Sequence, residues 1–182
     1  ETIEKRRSYR SLDPVEITDE LIEDLANSAK LAPSCFNNQP WRYVFVHDDE
    51  KLKGVFDTLS SGNEWAKNAS LIIGVFAKKE DDCNIKGREY YLFDTGLATS
   101  MLILRARELG LVAHAIAGYS ESKAKEAMSI PDEYRLITLV IVGKHSDEVK
   151  DILSEKQAKD EKKRPPRKDL EDFVFHNEFN NI

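Results

Sequence analysis

Gly96-Leu97-Ala98-Thr99-Ser100-Met101-Leu102-Ile103-Leu104 is nonpolar or small on every side of a helical turn. Such a helix is expected to be buried all round rather than to lie on a surface. It sits within an apolar stretch over residues 89–109, and Gly110 is well placed as its left-handed stop. Outward on the C-terminal side, Val112–Ala117 reads as a strand, Ser120–Met128 as a helix that Ser120 could cap, and Leu136–Gly143 as a central strand. On the N-terminal side, Leu71–Ala77 reads as a buried strand, residues 50–60 as a short helix and Arg42–His47 as a strand. Thr18 is expected to cap a helix with Leu21, Ile22, Leu25, Ala26 and Ala29 on one face, stopped by Pro33. Mixed helix and strand around one core implies an α+β or α/β domain.

The 182 residues carry a net charge of −6, with 41% hydrophobic and 33% charged residues, which suits one globular domain and excludes a wholly disordered chain. The longest apolar runs, such as Met101–Leu104, fall far short of the roughly 20 residues of a membrane span. No apolar stretch follows the charged Glu1–Arg7 start, so no secretory signal is read there. Cys35 and Cys83 are too few for a disulfide framework or a metal cluster and suggest a reducing compartment. The expected location is therefore cytoplasmic, without membrane contact, and the acidic balance speaks against nucleic acid as a partner.

Several common signatures are missing: the glycine-rich dinucleotide and phosphate loops, His-Glu-x-x-His, Cys-x-x-Cys and the Gly-x-Ser-x-Gly elbow. What remains is a basic cluster at each end, Arg6/Arg7/Arg10 and Lys162–Lys168, and an uncharged polar loop between Pro33 and Trp41. Arginines beside the Ser8 hydroxyl suit a phosphate, because the guanidinium fork offers paired donors. Ser34, Asn37, Asn38 and Gln39 offer neutral donors and acceptors of the kind that a heterocycle edge requires. Alone, each basic cluster reads as solvated surface.

Together the pieces resemble the nitroreductase family of flavin mononucleotide (FMN) enzymes. Arg6-Arg7-Ser8-Tyr9-Arg10 is similar to its opening Arg-x-Ser-x-Arg/Lys motif, and Leu31–Trp41 to its Ala-Pro-Ser-x-x-Asn-x-Gln-Pro-Trp loop. Asp94–Ala98 resembles the start of its long central helix, Ile116-Ala117-Gly118-Tyr119 its Ile-x-Gly turn, and Pro165–Leu170 its closing Pro-Arg-Lys-Pro-Leu. The resemblance is collinear and covers nearly the whole chain.

It implies one α+β domain over residues 1–182, with a central, largely antiparallel sheet flanked by helices. It also implies an intertwined homodimer with FMN at the interface. Arg6, Arg7 and Ser8 would hold the phosphate and ribityl chain, with Arg10 near the pyrimidine, and Arg167 and Lys168 would complete the phosphate site. Pro33, Ser34, Cys35 and Asn37 would line the cofactor from the other subunit. The backbone N–H of Ala117 would face flavin N5, with Gly118 allowing close approach. Residues 146–182 are expected to be an arm crossing to the partner. The polar Ser146–Lys163 span would be extended, reaching on the order of 50–60 Å, and Phe173 and Phe175 would anchor it.

The activity so implied is hydride transfer from NADH or NADPH through the flavin to a small electron-poor oxidant such as a quinone, nitroaromatic or enone. No side-chain catalytic residue or metal is demanded, since the flavin carries the electron chemistry. The alternatives are a flavin-fragmenting, dehalogenating or dehydrogenating relative, or a flavin-binding protein without turnover. Cys35 and His114 are read as structural rather than reactive.

Overall fold

The computed structural model describes residues 1–179. A single turn α1 (Thr2–Lys5) leads to β1 (Leu12–Asp13), α2 (Asp19–Lys30), β2 (Arg42–Val46), α3 (Asp49–Phe56) and β3 (Leu71–Ala77). A small hairpin of β4 (Asn84–Ile85) and β5 (Arg88–Glu89) precedes the long α4 (Tyr90–Glu108). The chain continues through β6 (Leu111–Ile116), α5 (Glu121–Ala127), β7 (Arg135–His145) and α6 (Glu155–Lys162).

β7 is the central strand. It pairs antiparallel with β3, β6 and β1, and β2 extends the sheet from β3. Alternation along β7 explains its unbroken apolar run. Leu139 and Ile141 face one core, with Val55, Trp65, Ile116 and Ala124, while Val140 and Val142 face the other, with Leu25, Ala98 and Leu102. Both faces are therefore covered, one by α3 and α5 and the other by α2 and α4, which makes this an α+β sandwich of three layers.

Local signals act as expected. The Thr18 hydroxyl accepts the Leu21 N–H at 3.2 Å and opens α2. Gly110 takes φ +79° just beyond α4, a conformation that a Cβ would oppose. Ser120 stands at the α5 N-cap, but its side chain makes no capping bond.

Two expectations are corrected. α4 is not buried all round within the chain: Asp94, Thr95, Ala98, Thr99, Leu102 and Ala106 face inward, whereas Phe93 is 62% and Met101 37% exposed. Nor is the Ser146–Lys163 span extended. Ser146 donates its N–H to the Ser11 carbonyl, α6 forms with a Ser154–Gln157 capping box, and Glu161 is buried. That carboxylate accepts the Arg10 N–H at 2.6 Å and lies 3.6 Å from His145 Nε2, so α6 docks on its own domain. Beyond it, Leu170, Phe173, Val174 and Phe175 are exposed. Residues 180–182, the end of the expected arm, lie outside the described residues.

Candidate functional site

The two basic clusters meet. Arg6, Arg7, Ser8 and Arg10 line a cavity of about 190 Å³ together with Asp160, Arg164, Pro165 and Arg167. Docking of α6 brings the chain ends together. The Arg7 guanidinium donates to the Asp160 carbonyl, and Arg164 donates to the carbonyls of Glu4 and Arg6, the latter at 2.8 Å. Arg6 donates to Ser8 Oγ at 3.2 Å. Partial burial, with Arg164 and Arg167 close by, holds the Arg6 guanidinium below its ordinary pKa. Five arginines facing one carboxylate-bearing residue form a site with uncompensated positive charge, suited to a dianion.

Arg10 also lies over the Trp65 ring, 6.0 Å from its centroid, and Trp65 stacks on His114 at 4.7 Å. His114 Nδ1 is 3.0 Å from the Tyr9 carbonyl. A carbonyl only accepts, so Nδ1 carries the proton of a neutral ring. Burial, and then the charges of Arg10 and Arg6, lower the His114 pKa to about 4, against the effect of the Tyr9 bond. It is a packed strand residue whose ring is neutral at neutral pH, with its one N–H committed to Tyr9. Beyond Trp65, Asn63 donates to the Gly118 carbonyl at 3.0 Å. A Cβ on Gly118 would fall 2.2 Å from Asn63 Nδ2, so a side chain there would displace the Asn63 amide from this bond. Ala117 is exposed and lines a second cavity of about 410 Å³ with Tyr91, Tyr119, Glu121 and Arg135.

The Pro33–Trp41 loop stands apart from the arginines. Phe36, Asn37 and Gln39 all have positive φ (47°, 59° and 51°), a conformation that non-glycine residues rarely adopt. Such a loop persists only when its surroundings over-determine it. Here the Ser34 hydroxyl accepts the Gln39 N–H at 3.0 Å, and the Cys35 N–H donates to the buried Asp94 carboxylate at 2.6 Å. Cys35 is also disulfide-bonded to Cys83, just before the β4–β5 hairpin. The two cysteines, read from the sequence as too few for a disulfide framework, thus form a single bridge. Their Cα atoms lie 6.1 Å apart, a proximity set by the paths of two separate loops. Asp94 is held above the usual carboxylate range, first by burial, against the Cys35 N–H and with Asp82 raising it further.

Of the residues expected at the site, Arg6, Arg7, Ser8, Arg10 and Arg167 share one cavity. Lys168 is exposed and does not line it. Pro33, Ser34, Cys35 and Asn37 lie together on the disulfide-bonded loop, and Ala117 and Gly118 on the turn after β6. Arg164, Asn63 and Trp65 are additions. Arg164 had a signal in its basic run, whereas Trp65 acquires its place only through long-range packing. A larger cavity of about 620 Å³, between β1 and the start of α3, contains none of the expected residues.

Known proteins resemble this chain in sequence and fold. The model of the nitroreductase family matches residues 3–70 and 59–144. A protein of Archaeoglobus fulgidus that carries the provisional name NADH dehydrogenase/NAD(P)H nitroreductase is 32% identical over 149 residues, 79% of this chain and 83% of that protein. A crystal structure described as an oxidoreductase containing FMN superposes with a TM-score of 0.86 at 30% identity, over 100% of this chain and 92% of the other. A nitroreductase-family protein of Clostridium novyi gives 0.75 at 28% identity, over 80% and 84% of the two chains.

Proposed function

The chain belongs to the nitroreductase family, and from that premise we propose that it is an FMN-dependent oxidoreductase acting as a homodimer. The observation that carries the reading is the arginine cavity closed by both ends of the chain. Its charge and its serine hydroxyl fit the phosphate of FMN, and Arg6, Arg7, Arg164 and Arg167 would hold it. When bound, FMN supplies the two-electron chemistry between NAD(P)H and a small electron-poor acceptor such as a quinone, nitroaromatic or enone. Arg10, next to the phosphate arginines and over Trp65, is the cation that would favour negative charge on the reduced pyrimidine.

At the other end, the Ala117 N–H would be offered to N5, and glycine at 118 keeps the turn narrow enough for Asn63 to lock it. The Pro33–Asn37 loop does not share the arginine cavity of its own chain. A two-fold partner would supply it, which accounts for a site divided into separated parts. The exposed face of α4, with Phe93 and Met101, and the exposed Leu170–Phe175 segment are the apolar surfaces that such a dimer would bury.

The test is direct. Purified protein, as isolated or reconstituted, should show flavin absorbance that anaerobic NADH or NADPH bleaches. A flavin-loaded protein that neither nucleotide bleaches would leave flavin binding without turnover. A protein that stays colourless with excess FMN would refute the assignment.

A further inference from the structure

We propose that the Cys35–Cys83 cystine is a thiol-exchange site, at which a small or protein dithiol reduces the folded protein and releases the Lys78–Glu89 segment from the Pro33–Trp41 loop. The bridge joins two partly buried segments and belongs to neither core cluster. A chain of this size buries two cores without needing a staple. Both cysteines are half-buried rather than enclosed, which leaves the sulfurs within reach of an attacking thiolate.

What the bridge holds is otherwise weakly held. The β4 and β5 strands have two residues each and turn through Lys86 and Gly87 at positive φ. A hairpin of that size is marginal by itself. Its other ties include partly exposed ion pairs, Arg42–Asp81 at 3.5 Å and, within the segment, Lys79–Glu89 at 2.5 Å, with Asn38 bonded to Asp82 at 3.2 Å and Lys78 over the Tyr134 ring at 5.3 Å. Pairs of that exposure contribute little. On the other side, the loop keeps its left-handed residues through Asp94, Ser34 and the bridge. Opening the bridge removes the covalent pin that joins the loop to the hairpin segment.

The exchange balances without another reactant. One thiolate of the dithiol attacks one sulfur, the Cys35–Cys83 bond breaks, and a mixed disulfide forms. The second thiol of the reagent then attacks its own sulfur in that bond and leaves as a cyclic or intramolecular disulfide. The dithiol loses two electrons and two protons, and Cys35 and Cys83 gain them as thiols. A carboxylate oxygen of Asp82 lies within 4.8 Å of both sulfurs.

A consequence for the flavin rests on the function proposed above, since the loop would line the cofactor: reduction should loosen FMN as well. The test separates the two. Protein isolated without reductant is treated with dithiothreitol under native conditions, alkylated with iodoacetamide and weighed, while hydrogen exchange is followed segment by segment. Two alkyl groups should appear only after reduction, and exchange over residues 78–89 and 33–41 should then rise on the order of tenfold, with β3 and β7 unchanged. Cys83→Ser should show the same exchange pattern with no reductant. These readouts do not depend on flavin, so a protein that binds no FMN would refute the function and leave the exchange site standing. Alkylation of both cysteines before reduction would overturn the proposal, as would labelling that requires denaturant, or reduction without a change in exchange.

Discussion

Acidification should destabilise this protein through His114, and the size of the effect follows from its surroundings. The ring is 8% exposed, stacked on Trp65 and bonded through Nδ1 to the Tyr9 carbonyl. Its pKa is lowered from 6.5 to about 4, chiefly by burial and further by Arg10 and Arg6. Between those values the unfolded chain binds a proton that the folded chain refuses. Stability therefore falls as pH drops from about 6.5 to about 4 and levels off below, where both states carry the proton. At roughly 1.4 kcal/mol per pH unit, the difference amounts to about 3 kcal/mol, a large part of a typical folding free energy. Urea denaturation from pH 7 to pH 4 measures it in the wild type and in His114→Asn, which keeps a donor for Tyr9 but cannot take up the proton. The variant starts less stable, since the stack on Trp65 is lost, but its curve should be flatter by about 3 kcal/mol over that range. Parallel curves for the two proteins would refute the reasoning. So would a His114 ring resonance that titrates near 6.5 in the folded state.

Three further outcomes test the site. Arg6→Ala removes a charge-assisted phosphate contact of about 1.5–3 kcal/mol, so the FMN dissociation constant should rise on the order of ten- to a hundredfold by flavin fluorescence. Arg164→Ala should weaken FMN to a similar degree and also increase hydrogen exchange over residues 4–8, because Arg164 ties the Glu4 and Arg6 carbonyls to the start of the tail. Ala117→Pro deletes the N–H offered to N5 while Ala117→Ser keeps it, so stopped-flow reduction by NAD(P)H should slow far more in the proline variant, and equal rates would place the N5 contact elsewhere. Removing residues 165–182 while keeping α6 should convert dimer to monomer in light scattering, because the Glu161 bond to Arg10 survives but the exposed Leu170–Phe175 surface is lost.

Periodicity and local chemistry were legible without any coordinates. The run at Leu139–Val142 announced a strand covered on both faces, Thr18 a helix start and Gly110 a helix stop, because each depends on neighbours within a few residues. The motif at Arg6–Arg10 and the loop at Pro33–Trp41 were legible through their collinear resemblance to a family, since alone a basic cluster reads as solvated surface. Three features came from tertiary structure alone. The polar Ser146–Lys163 stretch reads as an extended arm reaching to a partner, yet Glu161 is buried because the Arg10 N–H and His145 await it across the fold. The α4 helix reads as apolar throughout, but only one side meets the sheet, and Phe93 and Met101 on the other are exposed, a division that its composition does not write. Cys35 and Cys83 are 48 positions apart, and only the convergence of the loop after α2 with the segment before β4 brings them to bonding distance. Pairings over that range depend on the path of the whole backbone, which no local pattern encodes.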